Sequence, residues 1–105
     1  MAQISLPARL FGGSVTATEA QVYTVPAGET DVITSVTLCN VTDIAQQASA
    51  KLAGIFFFKN IDLAPRQITV IDVKQVLNAG DSIILSALNA NSVTAFISGV
   101  KITTI

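Results

Sequence analysis

Apolar residues in this chain recur at short, even intervals rather than in helical stripes. Val32–Val41 (VITSVTLCNV) is rich in β-branched residues. Alternation there sets Val32, Val36 and Leu38 on one side and Ile33, Thr37 and Cys39 on the other. Gln67–Val73 (QITVIDV) alternates Ile68 and Val70 against Thr69, Ile71 and Val73. The short Gln21–Val25, then Ser82–Leu88 and a long closing segment Val93–Ile105, broken or bulged at Gly99, extend the series. In GIFFFKN, Gly54–Asn60, a period of two places Phe56 and Phe58 on one face and Phe57 alone on the other.

Turn signals separate these segments. VPAG, Val25–Gly28, puts Pro26 at the second position of a type I turn, where its fixed φ already fits. NAGD, Asn78–Asp81, puts Gly80 at the third position of a type II turn, which requires positive φ. Pro65 in LAPRQ has no N–H to give and belongs outside a ladder. In ALNANSV, Ala87–Val93, Asn89 and Asn91 suit the left-handed geometry of a hairpin connection. VPAGET and LNAGDS share the order apolar, turn residue, Ala, Gly, acid, hydroxyl. They read either as two related corners of one sandwich or as convergent turn chemistry.

One window competes for helix. Asp43–Gly54 (DIAQQASAKLAG) offers an N-cap at Asp43, many alanines and a closing glycine. Its apolar stripe is mostly alanine and weak, so a polar loop followed by a strand is the preferred reading. Strands near ten-residue spacing with turns between them predict an all-β fold. The expectation is a single-domain antiparallel β-sandwich, of jelly-roll or immunoglobulin-like Greek-key type. Residues 1–12 read as an N-terminal arm or as a first strand, and residues 13–105 as the sandwich.

Composition changes this picture by what it lacks. A chain of 105 residues fits one domain, and a folded monomer of this mass should expose about 5,600 Å². Half of the residues are hydrophobic and 12% are charged, against about 25% in typical domains. No apolar run approaches the roughly 18 residues of a membrane-spanning helix. The deficit therefore points to a subunit buried among others, ahead of an ordinary domain covered by Thr and Ser. Net charge is −1 and no Lys/Arg cluster forms, which leaves no footprint for nucleic acid or an anionic membrane. MAQISLPARLFGG has no basic segment followed by a long apolar one, so secretion is not expected.

Candidate chemistry is equally sparse. Cys39 is the only cysteine and histidine is absent, which removes an internal disulfide, a zinc site and the histidine-dependent triads. Cys39 reads as a small buried hydrophobe. Glu29 and Asp31 follow a turn and face water in this reading, and Asp72 forms a surface pair with Lys74 or Arg66. No Asp-rich calcium loop or phosphate-binding glycine loop occurs. The expectation is a protein without catalytic residues, cofactor or metal. A sugar platform is disfavoured because tryptophan is absent and Tyr23 alone among the aromatics carries a polar tip.

The apolar residues are better spent on contacts. Several strands are greasy on both sides, whereas a two-layer sandwich with exposed outer faces should alternate apolar and polar. Such a strand meets a partner on its outer side. The candidate interface residues are Ile4, Leu6, Leu10 and Phe11 of the N-terminal segment, together with Phe56, Phe57 and Phe58. An arm that adds a strand to a neighbour's edge is one reading of ISLPARLF; a first strand of the chain's own sandwich is the other.

The pieces Tyr23–Gly28 (YTVPAG), Val32–Asn40, Leu77–Asp81 (LNAGD) and Ser98–Val100 (SGV), spread over Gln21 to Ile102, resemble a recurring pattern. It is that of small all-β structural proteins of tailed bacteriophages. SAKLAGIFFFKN departs from the pattern, which has a more polar strand there. The resemblance implies a non-enzymatic virion component assembled in the host cytoplasm, chiefly a capsid decoration or cement protein that bridges capsid subunits. The alternatives it leaves are a small neck or tail subunit, or a carbohydrate-binding module on a tail device. It implies a homo-oligomer, a trimer foremost, with the major capsid protein or other virion subunits as partners, and no nucleic acid or membrane.

Overall fold

In the computed structural model, which describes Gln3 to Thr104, every apolar run ends in a strand. Met1 and Ala2 of the expected arm, and Ile105 of the closing strand, lie outside the described residues. In chain order the strands are β1 (Gln3–Ser14), β2 (Ala20–Thr24), β3 (Glu29–Asn40) and β4 (Gln46–Leu52), then β5 (Ile55–Leu63), β6 (Ile68–Leu77), β7 (Ser82–Ala87) and β8 (Val93–Thr104). They form two four-stranded antiparallel sheets, ordered β1-β8-β3-β6 and β2-β7-β4-β5. Every connection except the β4–β5 hairpin crosses from one sheet to the other, and this wrapping is that of a jelly roll. The solvent-accessible surface is 5746 Å², close to what the chain's mass predicts.

The core lies between the sheets, with Ile33, Leu38, Leu63, Ile83, Leu85 and Ile97 withdrawn from solvent. The segment that competed for helix, Asp43–Gly54, is a loop, strand β4 and the turn that leads into β5, the loop-then-strand reading. Gln46, Ala48, Ala50 and Leu52 are all buried, a period of two that a helix cannot produce. The loop before it is closed by Asn40, which is fully buried. Its amide Nδ2 donates to the carbonyls of Ile44 (2.8 Å), Leu63 (3.1 Å) and Ala64 (3.1 Å), and its Oδ1 accepts from the Thr42 N–H (2.9 Å) and hydroxyl (2.7 Å).

The two similar turn motifs meet at one end of the sandwich. Each carries the chain across between sheets, the first into β3 and the second into β7. The Val25 N–H donates to the Asp81 carbonyl (2.9 Å) and the Gly80 N–H donates to the Val25 carbonyl (3.0 Å). Gly28 and Gly80 both have positive φ, 79° and 88°, the region in which a side chain would be strained.

Three expectations need correction, and β-bulges are the cause each time. The irregularity assigned to Gly99 lies in its neighbours: β8 runs through, while Leu10 in β1 and Thr34 in β3 are the extra residues opposite it. Gly99 packs so closely that a Cβ there would stand 2.4 Å from the Val32 carbonyl oxygen. The extra Thr34 shifts the phase of β3, so Ile33 joins Val36 and Leu38 in the core and Val32 turns outward. In β5, Phe57 is a bulge residue between pairs Ala50–Phe58 and Lys51–Phe56. Phe57 and Phe58 therefore both pack on the core, ring centroids 5.5 Å apart, and Phe56 is the exposed ring.

Candidate interaction surface

The register of the β1-β8-β3-β6 sheet fixes which side chains share its outer face, because residues directly opposite in a ladder point the same way. Four rows cross the sheet: Ser14–Thr94–Cys39–Ile68, Gly12–Phe96–Thr37–Val70, Arg9–Ser98–Ser35–Asp72 and Pro7–Val100–Val32–Val76. Ile68, Val70, Val76 and Phe96 on these rows are 65%, 61%, 52% and 48% exposed. Apolar residues and small hydroxyls fill the face; Arg9 and Asp72 are the charged side chains on these rows, and Lys74, of the same outward parity in β6, lies between the third and the fourth. Cys39 is half-buried here rather than in the core.

The second row shows how the face is kept flat. Phe96 lies down over Gly12, where a Cβ would come within 2.9 Å of the ring, and the Arg9 guanidinium stands 6.0 Å from the ring centroid. The expected Asp72 pair is not formed. Arg66 binds Asp43 instead, Nε to Oδ1 at 2.6 Å, and among the described residues neither Arg9 nor Asp72 has an ion-pair partner.

The other sheet presents a different exterior. Lys51 pairs with Glu19 at 2.8 Å, and Lys51 and Lys59 flank the Phe56 ring at 4.7 and 5.1 Å. Gln47 donates to Asp62 (2.9 Å), and the Ser49 hydroxyl accepts from the Asn60 N–H (2.7 Å). A shallow polar depression of about 240 Å³ lies among Gln47, Ser49, Asn60 and Ser86. It contains no aromatic ring. An apolar cleft of about 170 Å³ opens between the β4–β5 turn and the end of β6, lined by Leu52, Ile55, Phe56, Phe57, Val76 and Leu77.

The sequence-derived interface residues are thus dispersed. Leu10 is buried in the chain's own core, and Phe11, Phe57 and Phe58 pack against that core. Ile4 and Leu6 are exposed on β1, in alternation with Ala8, which touches the core. They share the inward parity of Ala8. β1 itself pairs with β8 from Gln3 to Ser14. Sequence reasoning passed over Ile68, Val70, Val76 and Phe96 as contact residues. The signal was present in QITVIDV and VTAFI, where both parities are apolar.

A buried polar cluster sits at one end of the sheet. The Tyr23 hydroxyl donates to Asp31 and lies 3.4 Å from Glu29, and Lys101 stands 3.9 Å from Glu29 and 5.5 Å from the Tyr23 ring. Asp31 is fully buried, contrary to its expected solvent exposure, and its Oδ1 has no hydrogen-bond partner. The Asp31 carboxyl beside it, and then burial, push the Glu29 carboxyl above its ordinary value of 4.5. Burial, and then the Asp31 hydrogen bond, push the Tyr23 hydroxyl above 10. Among the described residues no group of three or more acidic, His or Cys side chains is placed to hold a metal, and no helix is long and apolar enough to cross a membrane.

No protein-family model and no curated protein matches the sequence. Solved structures match by shape. A chain of the T13 IBDV viral particle superposes over 96% of this chain and 31% of its own length, with 6% identity and a TM-score of 0.56. An exo-β-1,3-galactanase from Phanerochaete chrysosporium matches over 92% of this chain and 26% of its own, with 13% identity and a TM-score of 0.46. A pentameric capsid protein from metagenomic phage sequences matches over 96% and 61%, with 15% identity and a TM-score of 0.35. The chain spans about a third or less of the first two proteins. At these identities the likeness is one of fold alone, and a chain of a viral particle is among those that share it.

Proposed function

We propose that this chain is a non-enzymatic structural subunit of a virion, and specifically a capsid decoration protein that bridges neighbouring capsid subunits. One observation carries the reading: the outer face of the β1-β8-β3-β6 sheet exposes Ile68, Val70, Val76 and Phe96 together. Exposed apolar patches of this kind mark surfaces that another protein covers. Burial at about 25 cal/mol per Å² rewards such contact, and repetition around a symmetric shell multiplies it without any new contact. The jelly-roll wrapping and the resemblance in the turn motifs agree with this reading.

The test is co-sedimentation of the purified chain with capsids of the encoding virus that have been stripped of it. Decoration predicts saturable binding and capsids that withstand higher temperature once coated. Binding to isolated tails but not capsids would assign it to the tail. Binding to a glycan surface with no affinity for either would replace the reading with sugar recognition by the polar depression near Ser49 and Asn60.

A further inference from the structure

We infer that a second copy of this chain covers the outer face of the β1-β8-β3-β6 sheet, related by a two-fold axis that runs parallel to the strands between β8 and β3. The inference rests on the reading of that face as an interface between virion subunits and names a second copy of this chain, not a capsid subunit, as its occupant. A two-fold contact is self-complementary, so each residue must face a residue it can accept. An axis in this position lays β1 of one copy on β6 of the other, and β8 on β3. The row order then sets Arg9 against Asp72 of the second copy, twice, by symmetry. In the same arrangement Val70 meets Gly12, Ile68 meets Ser14 and Phe96 meets Thr37, so a large side chain faces a small one in each case.

A two-fold axis across the strands does neither. It stacks β1 on β1 and β6 on β6, and leaves the two arginines on one edge and the two aspartates on the other. Of the two axes, only the strand-parallel one brings Arg9 and Asp72 together. Lys74, between the third and fourth rows, has no ladder partner in β3 and shares the outward parity of Asp72 and Val76, so it is a third charge on this face, on the edge strand β6. Packed sheets cross at roughly 30°. At an edge strand about 7 Å from the axis this displaces facing residues by roughly 4 Å, within reach of an arginine. Four strands at about 4.8 Å and ten residues at about 3.3 Å give a face of about 630 Å², or roughly 1,250 Å² for the pair. That lies at the lower end of the range for stable protein interfaces.

Sedimentation velocity of the free chain, from about 1 to 100 μM at low salt, tests the pairing. Wild type is expected to be a dimer across the upper part of this range. Arg9→Asp and Asp72→Arg should each weaken association at least about tenfold, since each sets two like-charged pairs face to face. An equimolar mixture of the two variants should recover wild-type association to within about threefold, because in the mixed dimer both pairs are again opposite in sign. Val70→Lys, at an exposed position, should dissociate the dimer and gain nothing from mixing. A wild type that stays monomeric, a trimer, or a mixture no tighter than its components overturns the pairing. Capsid binding is read separately: a monomer that still coats capsids sinks the pair and leaves the virion reading standing, and a dimer that ignores capsids does the reverse.

Discussion

The two outer faces of this sandwich are built from strands of similar hydrophobicity and differ in what those strands do with it. On the β2-β7-β4-β5 side, grease that the sequence placed outside has been turned inward. The bulge at Phe57 brings two successive rings onto the core, and Lys51, Lys59, Glu19 and Asp62 dress what is left. On the β1-β8-β3-β6 side the rows stay aligned across the sheet despite the bulges at Leu10 and Thr34, and Ile68, Val70, Val76 and Phe96 stay outside with Arg9, Asp72 and Lys74 among them. Apolar content alone therefore does not locate an interface; register does.

Mutations that treat the two faces alike should separate them. The largest contrast is expected between Val70→Lys and Gln21→Lys. A charge within a covered apolar face costs association about a hundredfold or more, equivalent to roughly 2.7 kcal/mol. The same residue on the exposed β2 changes it less than about twofold, and sedimentation reads both. Next comes the pair of rings. Phe57→Ala should cost about 2–3 kcal/mol of folding stability in urea titrations, as a partly buried ring does, and Phe56→Ala less than about 1 kcal/mol.

A smaller effect is expected at Gly12. A Cβ there meets the edge of the Phe96 ring at 2.9 Å, a flexible group that can swing, so Gly12→Ala should leave the thermal midpoint within a few degrees. Because the swung ring roughens the face, association should weaken severalfold. Smallest is the pH dependence of the Tyr23–Glu29–Asp31 cluster, which belongs to neither face. Glu29 holds its proton more tightly in the folded chain than in the unfolded one. Its contribution is therefore fully present below the ordinary value of 4.5 and lost as pH rises through the raised one. Glu29→Gln should flatten that part of a stability–pH curve measured by denaturant unfolding.

Much of this was legible in the sequence. Turn chemistry at Pro26, Gly28, Gly80 and Asn91 and the strand spacing point to the sandwich, and alternation in QITVIDV correctly sets Ile68 and Val70 against Thr69, Ile71 and Val73. The interface was not, for two physical reasons. A period-two reading carries no information about bulges, and one extra residue at Thr34, Leu10 or Phe57 inverts the side on which everything beyond it falls. Which strands neighbour one another is also a property of topology: Val70 and Phe96 are 26 positions apart in sequence and meet on one row only because β3 lies between their strands. The density of phenylalanine in GIFFFKN drew attention to the side of the molecule where the fold had already used it.

Cys39 offers the most direct view of the apolar face, being the chain's one thiol and lying on its first row between Thr94 and Ile68. The measurement is its alkylation rate under first-order conditions as protein concentration rises from below 1 μM to above 100 μM. The account predicts a rate that falls several-fold as the face is covered, and a constant rate in Val70→Lys. A wild-type rate that stays flat across the whole range, matching the variant, would contradict it.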